Sequence, residues 1–375
     1  MTNWSEVDPA ALTLRSQRLV LRPWQPADTP EVEAIMRDVR MSEFLPLPRP
    51  YTAQDARDFV AVAANRPADT GRLELAVQLD DRVIGAIGLA QPDPDGGAEI
   101  GYWIGSEHWG AGYATEAVRL LAEYGFANGL NRLEIQTDIS NLASVKVALR
   151  AGFSYEGTAR LGHRSQHGPA DHAMFGRLAT DSGRPVPPTW PTPPELTDGV
   201  VGLRPVQPAD WPILLAEASN PEARRWGLFN GAPPQHIMLD RARTAGLNWL
   251  VGRSVELLIT EVETGAGAGA VNLRMVGPPD VVALGYGVIP AFRGRRFTSR
   301  ALRLVADWAF SQTAIVRLEL GCKADNLASV RSAELAGFVR DGRFASRLRN
   351  PDGSYSDEIG FGLVRPAGSP ALPAG

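Results

Sequence analysis

Apolar residues along this chain recur in two alternating rhythms, every second position and every third to fourth, which mark half-buried strands and amphipathic helices. The stretch "RLVLRPW" (residues 18–24) reads as a strand, and residues 28–39 as a helix that Asp28 can cap. A second helix is predicted over 52–65, followed by a hairpin, "LELAVQLDDRVIGAIGLA", that turns at Asp80 and Asp81. "AEIGYWI" (98–104) is the next strand, and after the turn "HWGAG" the positions Ala117, Leu120, Leu121 and Tyr124 repeat at helical spacing. "RLEIQTD" (132–138) returns as a strand. "NLASVKVALRAGF" (141–153) is a short helix with Asn141 as N-cap and Gly152 at its C-terminus. Strands near 153–159 and 171–178 complete the unit.

The same order then runs a second time. "LRPWQPAD" (21–28) matches "LRPVQPAD" (203–210), and "NLASVKVALRAGF" matches "NLASVRSAELAGF" (326–338), with an offset that grows from 182 to 185. Self-similarity at a domain-sized period predicts two tandem copies of one α/β unit. The expected boundaries are a first domain over 1–181, a second over 198–366 and a flexible tail over 367–375. The Pro-rich segment 182–197 between the domains is expected to be an extended spacer.

Composition narrows the function. The formal net charge of −4 supplies no global field for a nucleic-acid backbone. The single cysteine, Cys322, excludes an internal disulfide, the first residues lack a secretory layout, and no run of about 18 apolar residues occurs. A cytoplasmic location is expected. His163, His167 and His172 lie close together in sequence but lack the spacing of a metal site, so no metal is expected.

Between strand and helix, "SEHWGAGYATEAV" (106–118) carries two glycines that leave backbone N–H groups uncovered at a helix N-terminus, a setting suited to phosphate. The string resembles the acyl-CoA-binding motif of the GNAT superfamily of N-acyltransferases, in which Gln or Arg, two residues, Gly, one residue, then Gly or Ala follow in order. Trp109, Gly112 and Ala114 fall on those positions, with Trp109 departing from Gln or Arg. Together with "NLASVKVALRAGF", the string is similar to the branch that acetylates ribosomal-protein N-termini. The resemblance implies two tandem GNAT folds, each a mixed, mostly antiparallel sheet flanked by helices, and donor contacts from Trp109, Gly110, Ala111, Gly112, Tyr113, Ala114 and Asn141. It also places Phe44, Leu45, Tyr51, His163 and Asp171 along the acceptor cleft.

Attack of an amine on a thioester needs a base to take the amine proton and backbone N–H groups to hold the oxyanion. Glu99 is the candidate base: it shares one face of its strand with Gly101 and Trp103 and resembles the strand-borne glutamate of several family members. The tyrosine acid of many relatives is replaced here by Ala148, which leaves Ser144, Tyr155 or water to protonate the thiolate. In the second copy, Arg296 stands at the place of Gly112, Thr298 at Ala114, Arg300 at Glu116 and Ala283 at Glu99. That copy is therefore expected to have lost both cradle and base, since a Cβ restricts the angles open to glycine.

The expected activity is transfer of an acyl group from acetyl-CoA, another acyl-CoA or a phosphopantetheine thioester to a primary amine, such as a peptide N-terminus, in the first copy. A second reading takes a longer acyl chain from an acyl carrier protein, docked on a cationic surface formed by Arg293, Arg295, Arg296 and Arg300. A third is a non-catalytic acyl-CoA-binding module.

Overall fold

In the strand Arg132–Asp138, half-buried and buried side chains alternate without a break, the pattern a strand needs when one face packs on a core. The computed structural model describes Trp4 and residues 7–65, 67–165, 168–187, 190–192, 195–227 and 231–367. The chain divides into two compact units, Met1–Pro187 and Pro188–Gly375.

The first unit runs β1 (Leu14–Arg15), β2 (Leu19–Arg22), α1 (Thr29–Met36), α2 (Ala53–Ala63), α3 (Pro67–Thr70), β3 (Arg72–Leu79), β4 (Arg82–Ala90), β5 (Gly97–Ile104), α4 (Tyr113–Ala127), β6 (Arg132–Asp138), α5 (Leu142–Arg150), β7 (Ser154–Ser165) and β8 (Gly168–Leu178). Its eight strands form one mixed sheet in the order β1-β2-β3-β4-β5-β6-β8-β7. The ladder between β5 and β6 is parallel and the others are antiparallel. The β3–β4 hairpin turns at Asp80 and Asp81, with Asp80 at φ 51°.

The second unit repeats this plan with β9 (Leu196–Thr197), β10 (Val201–Pro205), α6 (Trp211–Ser219), α7 (Pro221–Trp226), α8 (Gln235–Leu250), β11 (Ser254–Glu261), β12 (Gly267–Met275), β13 (Val281–Val288), α9 (Phe297–Gln312), β14 (Arg317–Lys323), α10 (Leu327–Leu335), β15 (Val339–Arg349) and β16 (Tyr355–Val364). Again a single parallel ladder, β13–β14, sits inside an eight-stranded sheet.

Helix boundaries follow local chemistry. Thr52 and Asp55 form a capping box at α2, and Asn141 caps α5 by accepting from the Ser144 N–H at 3.1 Å. Residues 102 and 103 point to opposite faces of the first sheet. Tyr102 meets Ser144 near the start of α5, whereas Trp103 packs on the other face with Trp24, Val32 and Val60 beneath α1 and α2.

The segment 182–197 does not act as a free spacer. Val186 N–H donates to Leu149 C=O at the end of α5, so the segment's start lies on the first unit. Trp190 is 1% exposed inside the core of the second unit, where its carbonyl accepts from the Trp249 indole at 3.2 Å. Leu196 and Thr197 already pair with β10. A tryptophan is large enough to anchor a chain whose prolines alone predict extension. Residues 368–375 of the expected tail lie outside the described residues.

Candidate active site

In the first unit, β5 pairs with β6 over Gly97–Arg132, Ala98–Leu133 and Glu99–Glu134, and the ladder then stops. β5 continues to Ile104 with β4 as its partner on the other edge. The two parallel strands therefore splay directly after Glu99. The direction of the freed backbone groups follows from register. Gly105 N–H donates to Ile84 C=O, so Trp103 and Gly101 also face β4, and Tyr102 and Ile104 turn their N–H and C=O groups into the splay. The Trp109 indole N–H closes one of these, donating to Ile104 C=O at 2.6 Å.

Glu99 is half-buried at the apex of the splay. On the same face, the Arg72 guanidinium lies over Gly101, where any Cβ would overlap it, and it pairs with Glu74. Burial pushes the Glu74 carboxyl up against the opposing pull of Arg72. Next along this face comes an aromatic cluster in which the Trp103 ring lies 6.4 Å from Trp24 and 6.1 Å from Phe59. Leu45 and Tyr51 pack against that cluster. Phe44 is 37% exposed at the end of the 3₁₀ turn Val39–Glu43.

The turn before α4 takes the form its glycines permit. Gly110 has φ 78° and Gly112 φ 84°, both in the left-handed region, and Tyr113 and Ala114 open the helix. Positive φ at these positions directs successive N–H groups to one side of the turn. A Cβ at 112 would meet Arg18 Nη2 at 3.6 Å and nothing closer, so the turn opens to solvent. Arg18 in turn pairs with Glu116 at 2.5 Å and lies over the Tyr113 ring. Such a turn fits an anionic diphosphate through main-chain donors.

The site residues expected from sequence divide into those that meet here and those that do not. Glu99 and the Trp109–Ala114 turn lie at the two ends of the splayed stretch. Ser144 is engaged by a buried hydroxyl: Tyr102 Oη and Ser144 Oγ are 2.7 Å apart. Sequence reasoning missed Tyr102, although its alternation with Trp103 places it on the helix side. Tyr286 and Ser329 repeat the pair at 2.7 Å in the second unit, and Asn326 repeats the Asn141 cap at 3.2 Å. Both features belong to the frame shared by the two units.

Tyr155 does not reach the site. The strand order β5-β6-β8-β7 sets it three strand spacings from β5, about 14 Å, and its hydroxyl meets Thr158 at 2.7 Å. Asp171 is committed to the β7–β8 hairpin, accepting from Leu161 N–H at 2.8 Å, and Asp357 does the same for Ser346 N–H. The His163 side chain and all of His167 lie outside the described residues. Among the described residues no group of three His, Cys, Asp or Glu is arranged to hold a metal, and no helix is long and apolar enough to cross a membrane.

The second unit differs from expectation at its turn. Arg296 adopts φ 63°, ψ 18°, the conformation of Gly112 at φ 84°, ψ 4°, so the backbone turn persists in spite of the side chain. Arg300, in place of Glu116, pairs with Asp198 at 2.6 Å; Asp198 stands at the place of Ser16, two residues before that of Arg18, so the same junction carries an ion pair of opposite polarity. Arg293 pairs with Glu222, and Arg295 pairs with Glu261 while lying over Phe292 and Phe297. With three of the four guanidiniums held by carboxylates, the expected cationic docking face is neutralised. Ala283 leaves β13 without a carboxylate at the place of Glu99.

The acetyltransferase (GNAT) domain matches twice, over residues 18–154 and 201–339. The chain is 32% identical over 171 residues to the uncharacterized N-acetyltransferase p20 of Bacillus licheniformis, covering 44% of this chain and 96% of that protein. It is 38% identical over 101 residues to the ribosomal-protein-serine acetyltransferase of Escherichia coli, covering 26% of this chain and 56% of the relative. Among solved structures, Mycobacterium smegmatis RimJ in complex with CoA-disulfide is similar with a TM-score of 0.42 at 20% identity, over 47% of this chain and 90% of that one.

Proposed function

Since this chain belongs to the GNAT acetyltransferase family and is an acyltransferase with two tandem domains of that fold, we propose that its first unit transfers an acetyl group from acetyl-CoA to a peptide or protein N-terminus. The observation that carries this reading is the position of Glu99 where the β5–β6 ladder ends, against Ala283 at the same place in the second unit.

In this reading, an ammonium entering from the α1–α2 side passes its proton to the Glu99 carboxylate, directly or through water, and the freed lone pair attacks the thioester carbonyl carbon. A C–N bond forms, the C–S bond breaks, the sulfur leaves as a thiolate, a weak enough base to depart without a dedicated acid, and the second proton on the nitrogen passes to that thiolate or to water. The Tyr102 N–H, turned into the splay, is the donor placed for the developing oxyanion. The Gly110–Ala114 turn holds the diphosphate of the donor, and Asn141 orders the start of α5 beside it. A peptide acceptor is favoured by the Escherichia coli relative, whose name specifies a ribosomal protein.

The test is Glu99→Gln, which keeps shape and removes the base. The expected result is a fall in kcat of about 10²–10⁴-fold with donor affinity unchanged, in a mass-spectrometric assay of acetyl transfer to peptides with free N-termini. Full activity in that variant would remove Glu99 from the mechanism.

A further inference from the structure

The acceptor side of the first unit is filled by the Trp24–Phe59–Trp103 cluster. At the matching positions the second unit has Val206, Arg241 and Gly287. The register shows the equivalence directly: Ala86 pairs with Trp103 in one sheet, and Ala270 with Gly287 in the other. One further exchange accompanies these. Ile35 on α1 corresponds to Glu217 on α6, and the Glu217 carboxylate lies over Gly287, where a Cβ would overlap it. Loss of a tryptophan and gain of a carboxylate thus fall on the same spot.

The space so vacated is open. The second unit contains a cleft of about 1620 Å³ along the β13–β14 splay, lined by Glu217, Trp226, Tyr286, Gly287 and Phe292 among others. Among the described residues, no hydrogen bond or ion pair reaches the Glu217 carboxylate. The cations near it are already used: Arg241 pairs with Glu256 at 2.8 Å, and Arg293 pairs with Glu222. Within this group two guanidiniums meet three carboxylates, and Glu217, the carboxylate left without an ion pair, lines the cleft beside the paired Glu222 and Arg293. Burial raises the Glu217 carboxyl, as does the charge of Glu256, while Arg241 and Arg293 act against that rise. A carboxyl so placed gains most from a partner that brings its own positive charge.

We propose that the cleft of the second unit is a binding site for a primary ammonium, held against the Glu217 carboxylate with the rest of the ligand along the Trp226 and Phe292 wall. The site is separate from the catalytic reading of the first unit and does not depend on it. Its ligand is a free small amine or the N-terminus of a peptide, both of which present the same charged group.

The experiment is ligand-observed NMR on the full chain with two probes, phenethylamine and a tri-alanine amide with a free N-terminus, each beside a neutral counterpart, 2-phenylethanol and the N-acetylated peptide. The expected result is binding of at least one ammonium probe over its neutral counterpart, weakened at least tenfold in Glu217→Gln. Preference for phenethylamine identifies a small amine, and preference for the peptide identifies an N-terminus. The double change Glu217→Ile with Gly287→Trp puts the first unit's isoleucine and tryptophan back on this spot and is expected to abolish binding while the chain stays folded. Equal binding of charged and neutral probes, or binding that survives Glu217→Gln, overturns the proposal.

Discussion

Gly112 is the position where the two units pose the sharpest experiment, because Arg296 shows what an arginine does in the same backbone conformation. Replacing Gly112 by Ala puts a Cβ on a residue at φ 84°, which costs an L-residue about 1–2 kcal/mol. No clash adds to this, since the nearest atom to the new Cβ is Arg18 Nη2 at 3.6 Å. For a unit of this size, each kcal/mol lowers Tm by about 2–4 °C, so a fall of about 2–8 °C is expected by calorimetry. Gly112→Arg carries the same backbone strain and brings a second guanidinium beside Arg18, which is already held by Glu116 at 2.5 Å. Repulsion from Arg18 then drives the new side chain over the N–H groups of the turn. Calorimetric titration with CoA separates the two effects: Gly112→Ala is expected to bind within about threefold of the parent chain, and Gly112→Arg at least tenfold more weakly. Equal CoA affinity in parent and Gly112→Arg chains would falsify the assignment of this turn as the diphosphate cradle.

Two further predictions concern stability. Trp190→Ala is expected to destabilise the second unit by about 3–5 kcal/mol, read from denaturant unfolding, because a side chain 1% exposed leaves a large cavity; a loss below about 1 kcal/mol would show that the segment is the extended, unpacked spacer its prolines predict. Burial pushes the Tyr286 hydroxyl up to about 12, in spite of its bond to Ser329. A raised value means that the protonated form is favoured by folding, so this contribution is whole below about pH 10 and is lost as pH climbs to about 12. Across that window the parent chain is expected to lose about 2–3 kcal/mol more than Tyr286→Phe, and parallel pH profiles for the two chains would contradict the burial argument.

Much of the fold was legible because its signals are local. Asn141 and Asn326 cap the helices their sequences mark, the β3–β4 hairpin turns at Asp80 and Asp81, and the repeat dictates two units of one plan. Two of the misjudgements depend on neighbours distant in sequence. Tyr155 was a candidate acid, yet β8 inserts between β6 and β7 and carries it away. The four arginines from 293 to 300 looked like one patch until Glu222, Glu261 and Asp198 arrived from other elements to hold three of them. Arg296 looked incompatible with the turn because propensity disfavours, but does not forbid, a left-handed arginine. Trp190 was read through its proline neighbours, whereas its own apolar area decided where the segment lies.

The reversed ion pair carries a consequence for how such a chain assembles. Two near copies of one fold on a single polypeptide invite exchange of equivalent strands, a recurrent failure of tandem proteins. The first strand region of one copy brings Arg18 to Glu116, and that of the other brings Asp198 to Arg300. A crossed assembly would set Arg18 against Arg300 and Asp198 against Glu116, two like-charge contacts in place of two attractive ones. Polarity at this single junction thus disfavours the crossed pairing of a leading strand with the helix of the other copy.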